Sequence, residues 1–322
     1  MMKPRVLVTR RWPDAVEREM AKVFDIDLNP SDIPLSEATL RDAMGQYDAI
    51  LPTVTDRLPA AVFQGPARTR ILANYGVGFA HIDTEAAKAS GIAVTNTPDV
   101  LSDCTADIAM TLMLMVARRA GEGERELRNG RWTGWRPTHM IGTKVSGATL
   151  GLIGFGRIGQ AMAKRAHFGF GMKILVQNRS AVPAEVLARY NAVQVPTIED
   201  LLPQCDFVSL HCPGGAANRH LINGPRLDLM RRGAFLINTA RGEVVDEHAL
   251  AQALWFGAIG GAGLDVYDRE PAIPRELLGA DNLVLLPHLG SATIETREAM
   301  GFRVLDNLTD FFAGKQPRDL VA

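Results

Sequence analysis

The sequence predicts an α/β protein made of two doubly wound parallel-sheet domains with a cleft between them. Short runs rich in β-branched and apolar residues alternate with helical patterns along nearly all of the 322 residues. This alternation is typical of parallel strands that are joined by crossover helices. Hydrophobic residues make up 47% of the chain and charged residues 22%, the balance of a globular protein with a substantial core. The length favours about two domains.

The strand candidates form two series along the chain. The first comprises residues 5–9, 24–28, 49–51, 70–73 and 92–95, with helical segments between them that include 13–22 and 84–90. The second comprises 149–153, 173–177, 192–195, 207–211, 234–238, 260–265 and 283–286. A turn at Thr97, Pro98 and Asp99 separates the two series, since proline and aspartate favour turns.

Two long helical patterns flank the second series. One runs from Ser102, which can cap it, to about Asn129, with apolar residues on one face, and its length suits a connection between domains. The last, residues 291–312, has no sheet of its own to complete, so we expect it to return to the first domain. The predicted domains are therefore residues 1–100 plus 290–322 and residues 101–289.

Composition and charge exclude several classes of protein. The net charge is -1 with Lys and Arg spread along the chain, which argues against nucleic acid or an acidic membrane as partner. The N-terminus has no signal-peptide pattern, and the most apolar helical stretch, 108–116, is too short to span a bilayer. The three cysteines form no CxxC pair, and no HExxH or similar spacing indicates a metal site. We expect a cytoplasmic protein without a metal.

The strongest single motif is GFGRIG at 154–159, directly after the predicted strand 149–153 and before a helical pattern at 160–168. Gly154 permits the tight turn, Gly156 lets the backbone approach a pyrophosphate, and Gly159 allows close packing of helix on strand. A glycine-rich turn alone is weak, but this strand–turn–helix context predicts a Rossmann domain that binds a dinucleotide.

The second strand of this unit ends without the carboxylate that usually binds a free ribose 2′-hydroxyl. Instead the chain continues with Asn178, Arg179 and Ser180. Arg179 can pair with a 2′-phosphate, and Asn178 and Ser180 can donate hydrogen bonds to it. The sequence therefore favours NADP(H) over NAD(H). The alternative is that Arg179 stacks on the adenine or lies in solvent and that NAD is bound less selectively.

Three later segments place reactive side chains just after predicted strands: INTARG at 237–242, GLDVYDREP at 263–271 and LPHLGS at 286–291. With GVGFAHID at 76–83, VTNTP at 94–98 and TAD at 105–107, they resemble the D-isomer-specific 2-hydroxyacid dehydrogenase family, and most closely its glyoxylate/hydroxypyruvate reductase branch. The resemblance covers nearly the whole chain. It implies a flavodoxin-like substrate domain and a Rossmann cofactor domain.

By this resemblance Arg241 binds substrate, His288 is the acid/base and Glu270 is its partner. The chemistry supports the same roles. Hydride delivery to the carbonyl carbon of a 2-oxo acid builds negative charge on oxygen, and a histidine can supply the proton. A nearby carboxylate stabilises the imidazolium and orients the ring, while an arginine fork binds the substrate carboxylate. Each residue alone could be a surface or loop residue, but their occurrence together, in this order after a dinucleotide-binding turn, favours catalysis.

The resemblance also implies further contacts. Backbone N–H groups of Val77 and Gly78 would hold the substrate carboxylate from the first domain, where glycines allow a concave amide nest. Asp265 would contact the nicotinamide carboxamide, although capping of the following turn is an alternative for it. The remaining cofactor contacts implied are Thr105, Gly154, Gly156, Arg157, Ile158, Cys212, Pro213, Thr239, Ala240, Arg241 and His288. His81, His139, His167, His211, His220 and His248 are interpreted as structural or solvent-facing.

Substrate size and oligomeric state rest on fewer residues. Leu51 and the residues after it suggest the small-substrate branch, and Trp132 and Trp135 could close a small pocket or form a dimer contact. The apolar excess of the long helix, with Met110 and Met113 among others, predicts a homodimer as in the family. A cofactor-sensing binding protein of the same fold, or a phosphite or other D-2-hydroxyacid dehydrogenase, remain alternatives.

Overall fold

The computed structural model describes residues 3–322, which divide into two compact units. Unit 1 consists of the described residues up to Leu101 together with Ala292–Ala322, and unit 2 is Ser102–Ser291. Each unit contains one sheet, of five and seven strands respectively, and neighbouring strands in both sheets are parallel. The predicted fold class of two parallel-sheet α/β domains is confirmed.

The sheet of unit 1 has the flavodoxin-like order β2-β1-β3-β4-β5. Its strands are β1 (Arg5–Val8), β2 (Asp25–Leu28), β3 (Ala49–Leu51), β4 (Ile71–Ala73) and β5 (Ala93–Thr95). The inner strands are short apolar runs with buried side chains, as expected for a sheet that is covered on both faces. Strand β2 carries two aspartates and is only partly buried, which suits its position at the edge.

Three helices of unit 1 connect these strands: α1 (Asp14–Val23), α2 (Glu37–Met44) and α3 (Thr84–Ala89). The start of α2 is fixed by the Ser36 hydroxyl, which accepts a hydrogen bond from the Thr39 N–H at 3.1 Å. The Asp83 carboxylate does the same for Ala86 at 2.9 Å at the start of α3. Because α3 begins only at Thr84, the preceding loop, which carries the GVGFAHID motif, lies outside the helices and strands.

The sheet of unit 2 has the Rossmann order β12-β11-β10-β9-β6-β7-β8. Its strands are β6 (Thr149–Ile153), β7 (Lys173–Gln177), β8 (Ala192–Gln194), β9 (Phe207–Leu210), β10 (Phe235–Asn238), β11 (Gly261–Leu264) and β12 (Leu283–Leu285). Strand order reverses between β6 and β9, and ligands of such sheets bind beyond the carboxyl ends of the strands there. The twelve strands of the described residues all lie within one residue of their predicted bounds.

The helices of unit 2 are α4 (Ser102–Ala117), α5 (Ala120–Arg128), α6 (Arg157–Lys164), α7 (Ala184–Ala188), α8 (Ile198–Leu201), α9 (Gly224–Leu229), α10 (Glu247–Trp255) and α11 (Arg275–Leu278). A π-helical turn, Arg165–Gly169, continues α6. The last helix of the chain, α12 (Ile294–Phe312), packs against α1 and β4 of unit 1. It begins three residues later than predicted because the Thr293 side chain caps it.

The prediction of one continuous helix from Ser102 to Asn129 was wrong. The chain leaves the helix after Ala117, and Arg119 adopts a left-handed conformation with φ of 53° before α5 begins. The Ala117 carbonyl accepts a hydrogen bond from the Thr143 N–H at 2.7 Å. A later segment of the chain therefore takes the carbonyl that a continuing helix would use, and tertiary contact overrides the helical pattern.

More of helix α4 is buried in the core of unit 2 than the sequence suggested. Met110 and Met113 are 7% and 0% exposed and belong to the core of this unit. Gly263 of β11 makes room for the helix, since a Cβ there would lie 2.9 Å from the Cβ of Leu112. The two methionines are needed within unit 2 and give no support to a homodimer, which stays a prediction.

Candidate active site

The turn between β6 and α6 is shaped by its three glycines. Gly154 has φ of +90°, and a Cβ there would lie 2.8 Å from the backbone of His211, while a Cβ on Gly159 would lie 2.4 Å from the Gly154 carbonyl oxygen. A Cβ on Gly156 would meet nothing within 4 Å, and no side chain caps α6, for which Gly156 is the N-cap. Two glycines are thus required by packing, and the third leaves open space at a helix N-terminus, where a pyrophosphate binds well.

The three residues after β7 were all predicted to contact a 2′-phosphate, but the structure gives them different surroundings. The Asn178 side chain braces the turn, because its Oδ1 accepts from the Phe155 N–H at 3.1 Å and its Nδ2 donates to Ser180. Ser180 and Arg179 are exposed, and the Arg179 guanidinium has no hydrogen bond or ion pair among the described residues. Asn178 is therefore a positioning residue here, and Arg179 is the group left to meet a ligand.

Two buried polar atoms lie without a hydrogen-bond partner just beyond β9 and β10 in the described part of the chain: His211 Nδ1 and Thr239 Oγ1. The other ring nitrogen of His211 lies 2.9 Å from the Ser209 hydroxyl, and burial lowers the pKa of this histidine to about 4. A neutral imidazole and a hydroxyl are thus left to bind a further group. With the open glycine turn, they fit a dinucleotide at the carboxyl edge of the sheet. Cys212 and Pro213 follow His211, while Ala240 follows Thr239 and is buried.

The three predicted catalytic residues follow β10, β11 and β12, which are neighbours in the sheet. His288 Nδ1 lies 2.8 Å from Glu270 Oε2, and the other carboxylate oxygen of Glu270 accepts from the Tyr267 N–H at 3.0 Å. Burial alone would raise the pKa of Glu270. The hydrogen bond and charge of His288, the Tyr267 N–H and Arg241 outweigh it, so the pKa of Glu270 is lowered and the carboxylate is ionised at neutral pH.

Arg241 sits in a loop that is fixed by close backbone packing. A Cβ on Gly242 would lie 1.8 Å from the Tyr267 carbonyl carbon, so only glycine fits this approach. The Arg241 Nη1 donates to the Ala240 carbonyl at 2.6 Å, and the guanidinium forms no ion pair within residues 3–322. Burial lowers the pKa of Arg241, against the opposing charges of Glu270 and Glu243. A charged guanidinium with N–H groups in reserve is a site for an anion.

Asp265 and Thr105 hold the loop that carries His288. The two Asp265 carboxylate oxygens accept from the N–H groups of Leu289 at 2.6 Å and Gly290 at 2.7 Å. The Thr105 hydroxyl donates to the Gly290 carbonyl at 3.0 Å. Burial raises the pKa of Asp265, although these N–H groups and His288 oppose the shift. Asp265 therefore caps a loop that follows β12, not the turn after its own strand.

In unit 1, the residues Gly76, Val77 and Gly78 form a loop after β4, called the amide loop below. The N–H groups of Val77 and Gly78 have no hydrogen-bond partner among the described residues. Neither glycine has a positive φ, so the loop does not need glycine for its backbone conformation. Gly76 is instead needed for space, since its Cβ would lie 3.2 Å from Val54 Cγ1.

Leu51 does not have the exposure that a substrate contact requires. It is 0% exposed at the end of β3, and its carbonyl accepts hydrogen bonds from the N–H and hydroxyl of Thr9 at 3.3 and 3.0 Å. Val54, 37% exposed, is the apolar side chain that lies beside the amide loop. We therefore correct the prediction for Leu51, which is a core residue.

Sequence reasoning missed the side chains that fix the Glu270 loop. Arg219 forms a two-pronged hydrogen bond with the Asp268 carboxylate at 3.0 and 2.9 Å, and Glu247 accepts from the Asp268 N–H at 2.9 Å. These partners are 49 and 21 residues apart in sequence. No local pattern signals such a pair, because only the fold brings its members together.

Two features are absent from residues 3–322: a cluster of metal-binding side chains and a membrane-spanning helix. No group of three or more His, Cys, Asp and Glu side chains is arranged to hold a metal ion. Within residues 3–322, no helix combines the length and the apolar character that crossing a membrane requires.

The chain resembles known proteins along its whole length. Residues 110–290 match the family described as D-isomer specific 2-hydroxyacid dehydrogenase, NAD binding domain. A glyoxylate reductase of Pyrococcus horikoshii is 44% identical over 324 residues, covering 99% of this chain and 96% of the relative. One of Thermococcus onnurineus is 43% identical with the same coverage. The crystal structure of an NADPH-dependent glyoxylate/hydroxypyruvate reductase from Sinorhizobium meliloti, in complex with NADP and malonate, has a TM-score of 0.88 at 34% identity, covering 99% of this chain and 97% of that one.

Proposed function

This chain belongs to the D-isomer specific 2-hydroxyacid dehydrogenase family and is an oxidoreductase, and on that premise we propose that it reduces glyoxylate or hydroxypyruvate with NADPH. The product is the corresponding 2-hydroxy acid, of D configuration where C2 is chiral. The observation that carries the proposal is the His288–Glu270 pair, 2.8 Å apart, on the loops after β12 and β11, with the Arg241 guanidinium on the loop after the adjacent strand β10. A proton donor and an anion site at the same edge of one sheet are what a 2-oxo acid needs.

His288 supplies the proton in this mechanism. When bound, the nicotinamide would supply a hydride to C2 of the oxo acid, and the carbonyl π electrons would pass to the oxygen that His288 protonates. Since Nδ1 of His288 faces Glu270, Nε2 is the nitrogen available to protonate the substrate oxygen. The ionised Glu270 stabilises the imidazolium before transfer and fixes the ring, and solvent returns the proton to His288 afterwards.

Arg241 and the amide loop bind the substrate carboxylate. The guanidinium of Arg241 offers a planar fork to the carboxylate and can polarise the adjacent carbonyl. The unpaired N–H groups of Val77 and Gly78 are proposed to donate hydrogen bonds to the same carboxylate, because backbone amides bind anions without adding a titratable group. The partly exposed, branched side chain of Val54 lies beside this loop and would limit the space for a longer substrate chain.

The cofactor would be held by the glycine turn, the exposed Arg179 and the two unpartnered polar atoms beyond β9 and β10. NADPH is preferred in this proposal because the free guanidinium of Arg179 and the hydroxyl of Ser180 follow β7 where a carboxylate is absent. A lower KM for NADH than for NADPH would contradict this preference.

A homodimer in the cytoplasm is also proposed. Trp132 and Trp135 are 51% and 82% exposed, more than a monomer usually leaves for two tryptophans close in sequence. Cys205 and Cys212 carry thiols, as in proteins of a reducing compartment. Light scattering of the purified chain tests the dimer, and a monomeric mass would contradict it.

The experiment that tests the function is an initial-rate assay of cofactor oxidation. NADPH and NADH are each offered with glyoxylate, hydroxypyruvate, pyruvate and a bulkier 2-oxo acid. We expect fast turnover of the two smallest acids with NADPH. Binding of the cofactor without turnover of any acid would instead favour a cofactor-sensing protein of the same fold.

A further inference from the structure

Buried asparagines donate to every carbonyl oxygen of the amide loop, and the Thr97 N–H also donates to the Gly76 carbonyl at 3.1 Å. The Asn74 Nδ2 donates to the carbonyls of Gly76 and Gly78, both at 3.0 Å. The Asn96 Nδ2 donates to the carbonyl of Val77 at 2.8 Å. Asn74 and Asn96 are only 0% and 8% exposed. Three consecutive carbonyls are therefore directed toward two side chains in the interior of unit 1.

The orientation of the carbonyls sets the orientation of the N–H groups. The peptide bonds of this loop are trans, so each carbonyl points opposite to the N–H of the next residue. When Asn74 holds the Gly76 carbonyl, the Val77 N–H points away from Asn74. When Asn96 holds the Val77 carbonyl, the Gly78 N–H points away from Asn96. The two unpartnered N–H groups follow from these hydrogen bonds.

A third side chain fixes the orientation of the Asn74 amide. The Asn74 Oδ1 lies 3.0 Å from His81 Nε2. Because the Asn74 nitrogen must donate to two carbonyls, its oxygen must be the atom that faces His81, and His81 Nε2 must carry the proton. An asparagine rotated by 180° would place its oxygen against both carbonyls. His81, interpreted from the sequence as structural or solvent-facing, thus belongs to this network.

We infer that Asn74 and Asn96, with His81 behind Asn74, are positioning residues that set the affinity for the substrate carboxylate. The inference rests on the proposed function and deepens it. Neither asparagine needs to touch substrate, since each acts through the backbone of the amide loop. A neutral amide suits this task because it holds a carbonyl without placing a negative charge near the anion.

The arrangement predicts a specific kinetic signature. Loss of the Asn96 amide frees the Val77 carbonyl and lets the Gly78 N–H turn from its position. Loss of the Asn74 amide frees the Gly78 carbonyl but leaves the Gly76 carbonyl bound to the Thr97 N–H. The loop carries no proton donor of the reaction, so the chemical step keeps its rate once substrate is bound. We expect Asn96→Ala to raise the KM for glyoxylate about tenfold while kcat stays within about threefold. Asn74→Ala should raise KM by a smaller factor.

Asn29 offers a matched control in the same unit. It is 8% exposed, and its Nδ2 also donates to two carbonyls, those of Thr9 and Ile33, each at 2.8 Å. It makes no contact with the amide loop. Steady-state kinetics, the inhibition constant for oxamate and the Kd for NADPH are measured for Asn74→Ala, Asn96→Ala and Asn29→Ala, with thermal unfolding to confirm folding. His81→Gln, which keeps a donor, is compared with His81→Leu.

The outcomes separate this inference from the proposed function. It is supported if the KM and the oxamate constant rise together for the Asn74 and Asn96 variants, with NADPH binding unchanged and Asn29→Ala like wild type. His81→Gln should then resemble wild type more than His81→Leu does. An equal rise for Asn29→Ala, or a fall confined to kcat, overturns the inference while the function stands. A wild-type enzyme that turns over no 2-oxo acid refutes both.

Discussion

Buried side chains bind two loops of this chain, one through its peptide carbonyls and the other through its peptide N–H groups. In the amide loop of unit 1, Asn74 and Asn96 bind carbonyl oxygens, and N–H groups remain without partners. In the loop after β12 of unit 2, Asp265 binds the N–H groups of Leu289 and Gly290. The first loop is left with donors for an anion, and the second is left with the side chain of His288.

The comparison indicates that the function of a loop depends on which peptide atoms are bound, the carbonyl oxygens or the N–H groups. A loop that is anchored through its carbonyls becomes an anion site and needs no charged side chain. A loop that is anchored through its N–H groups can present one reactive side chain in a fixed position. Variants on the second loop should therefore affect kcat, and those around the first should affect KM.

The largest effect is expected for His288→Ala. Without the proton donor, kcat for glyoxylate reduction should fall roughly 10³-fold, the range for loss of a general acid. The Kd for NADPH should stay near that of wild type, which fluorescence of the bound nicotinamide measures. His248, an exposed histidine on α10, provides the control variant His248→Ala. Turnover that persists in His288→Ala would remove the acid/base role and break the contrast between the loops.

A smaller loss, mainly in substrate binding, is expected for Arg241→Lys. Lysine keeps the charge but cannot offer a planar fork, so kcat/KM should fall roughly 10²-fold, mostly through KM. Arg231→Lys is the control, since Arg231 pairs with Asp206 at the surface with 50% of its side chain exposed. Loss of NADPH binding in Arg241→Lys, with unchanged KM for glyoxylate, would contradict the assignment.

The sequence predicted the reactive side chains of unit 2 far better than the residues that hold the amide loop. His288, Glu270 and Arg241 are reactive side chains in ordered motifs after strands, and parallel topology brings the ends of neighbouring strands together. The function of the amide loop lies in backbone atoms, whose direction depends on Asn74 and Asn96 through tertiary contacts. The break at Arg119 escaped prediction for a similar reason, because the Thr143 N–H that occupies the Ala117 carbonyl comes from a distant segment.

The variant Glu270→Gln sharpens the account of the second loop. Removal of the carboxylate removes the charge that stabilises the His288 imidazolium, so kcat for glyoxylate reduction should fall about tenfold at neutral pH. The KM for glyoxylate should stay near that of wild type, because other groups bind the substrate carboxylate. An unchanged kcat would show that Glu270 does not act on His288.

The same variant has an expected signature in stability. The pKa of Glu270 is lowered in the folded chain, so its ionised form stabilises the fold above the unfolded value of about 4.3. That contribution is lost as pH falls through the folded pKa. Glu270→Gln should therefore lose less Tm than wild type between pH 7 and pH 3. Parallel thermal unfolding curves across this range would contradict the lowered pKa.

The smallest effect is expected for Asp265→Asn, which tests whether the anchor of the second loop needs charge. The asparagine oxygen can still accept one N–H, but its nitrogen faces the other, so the loop is held by one bond where wild type has two. We expect kcat to fall about threefold, with KM for glyoxylate unchanged, because His288 is misplaced while the carboxylate site is intact. A raised Kd for NADPH would instead support direct contact of Asp265 with the nicotinamide. A raised KM at constant kcat would mean that both loops act on binding, and the division of labour between them would be wrong.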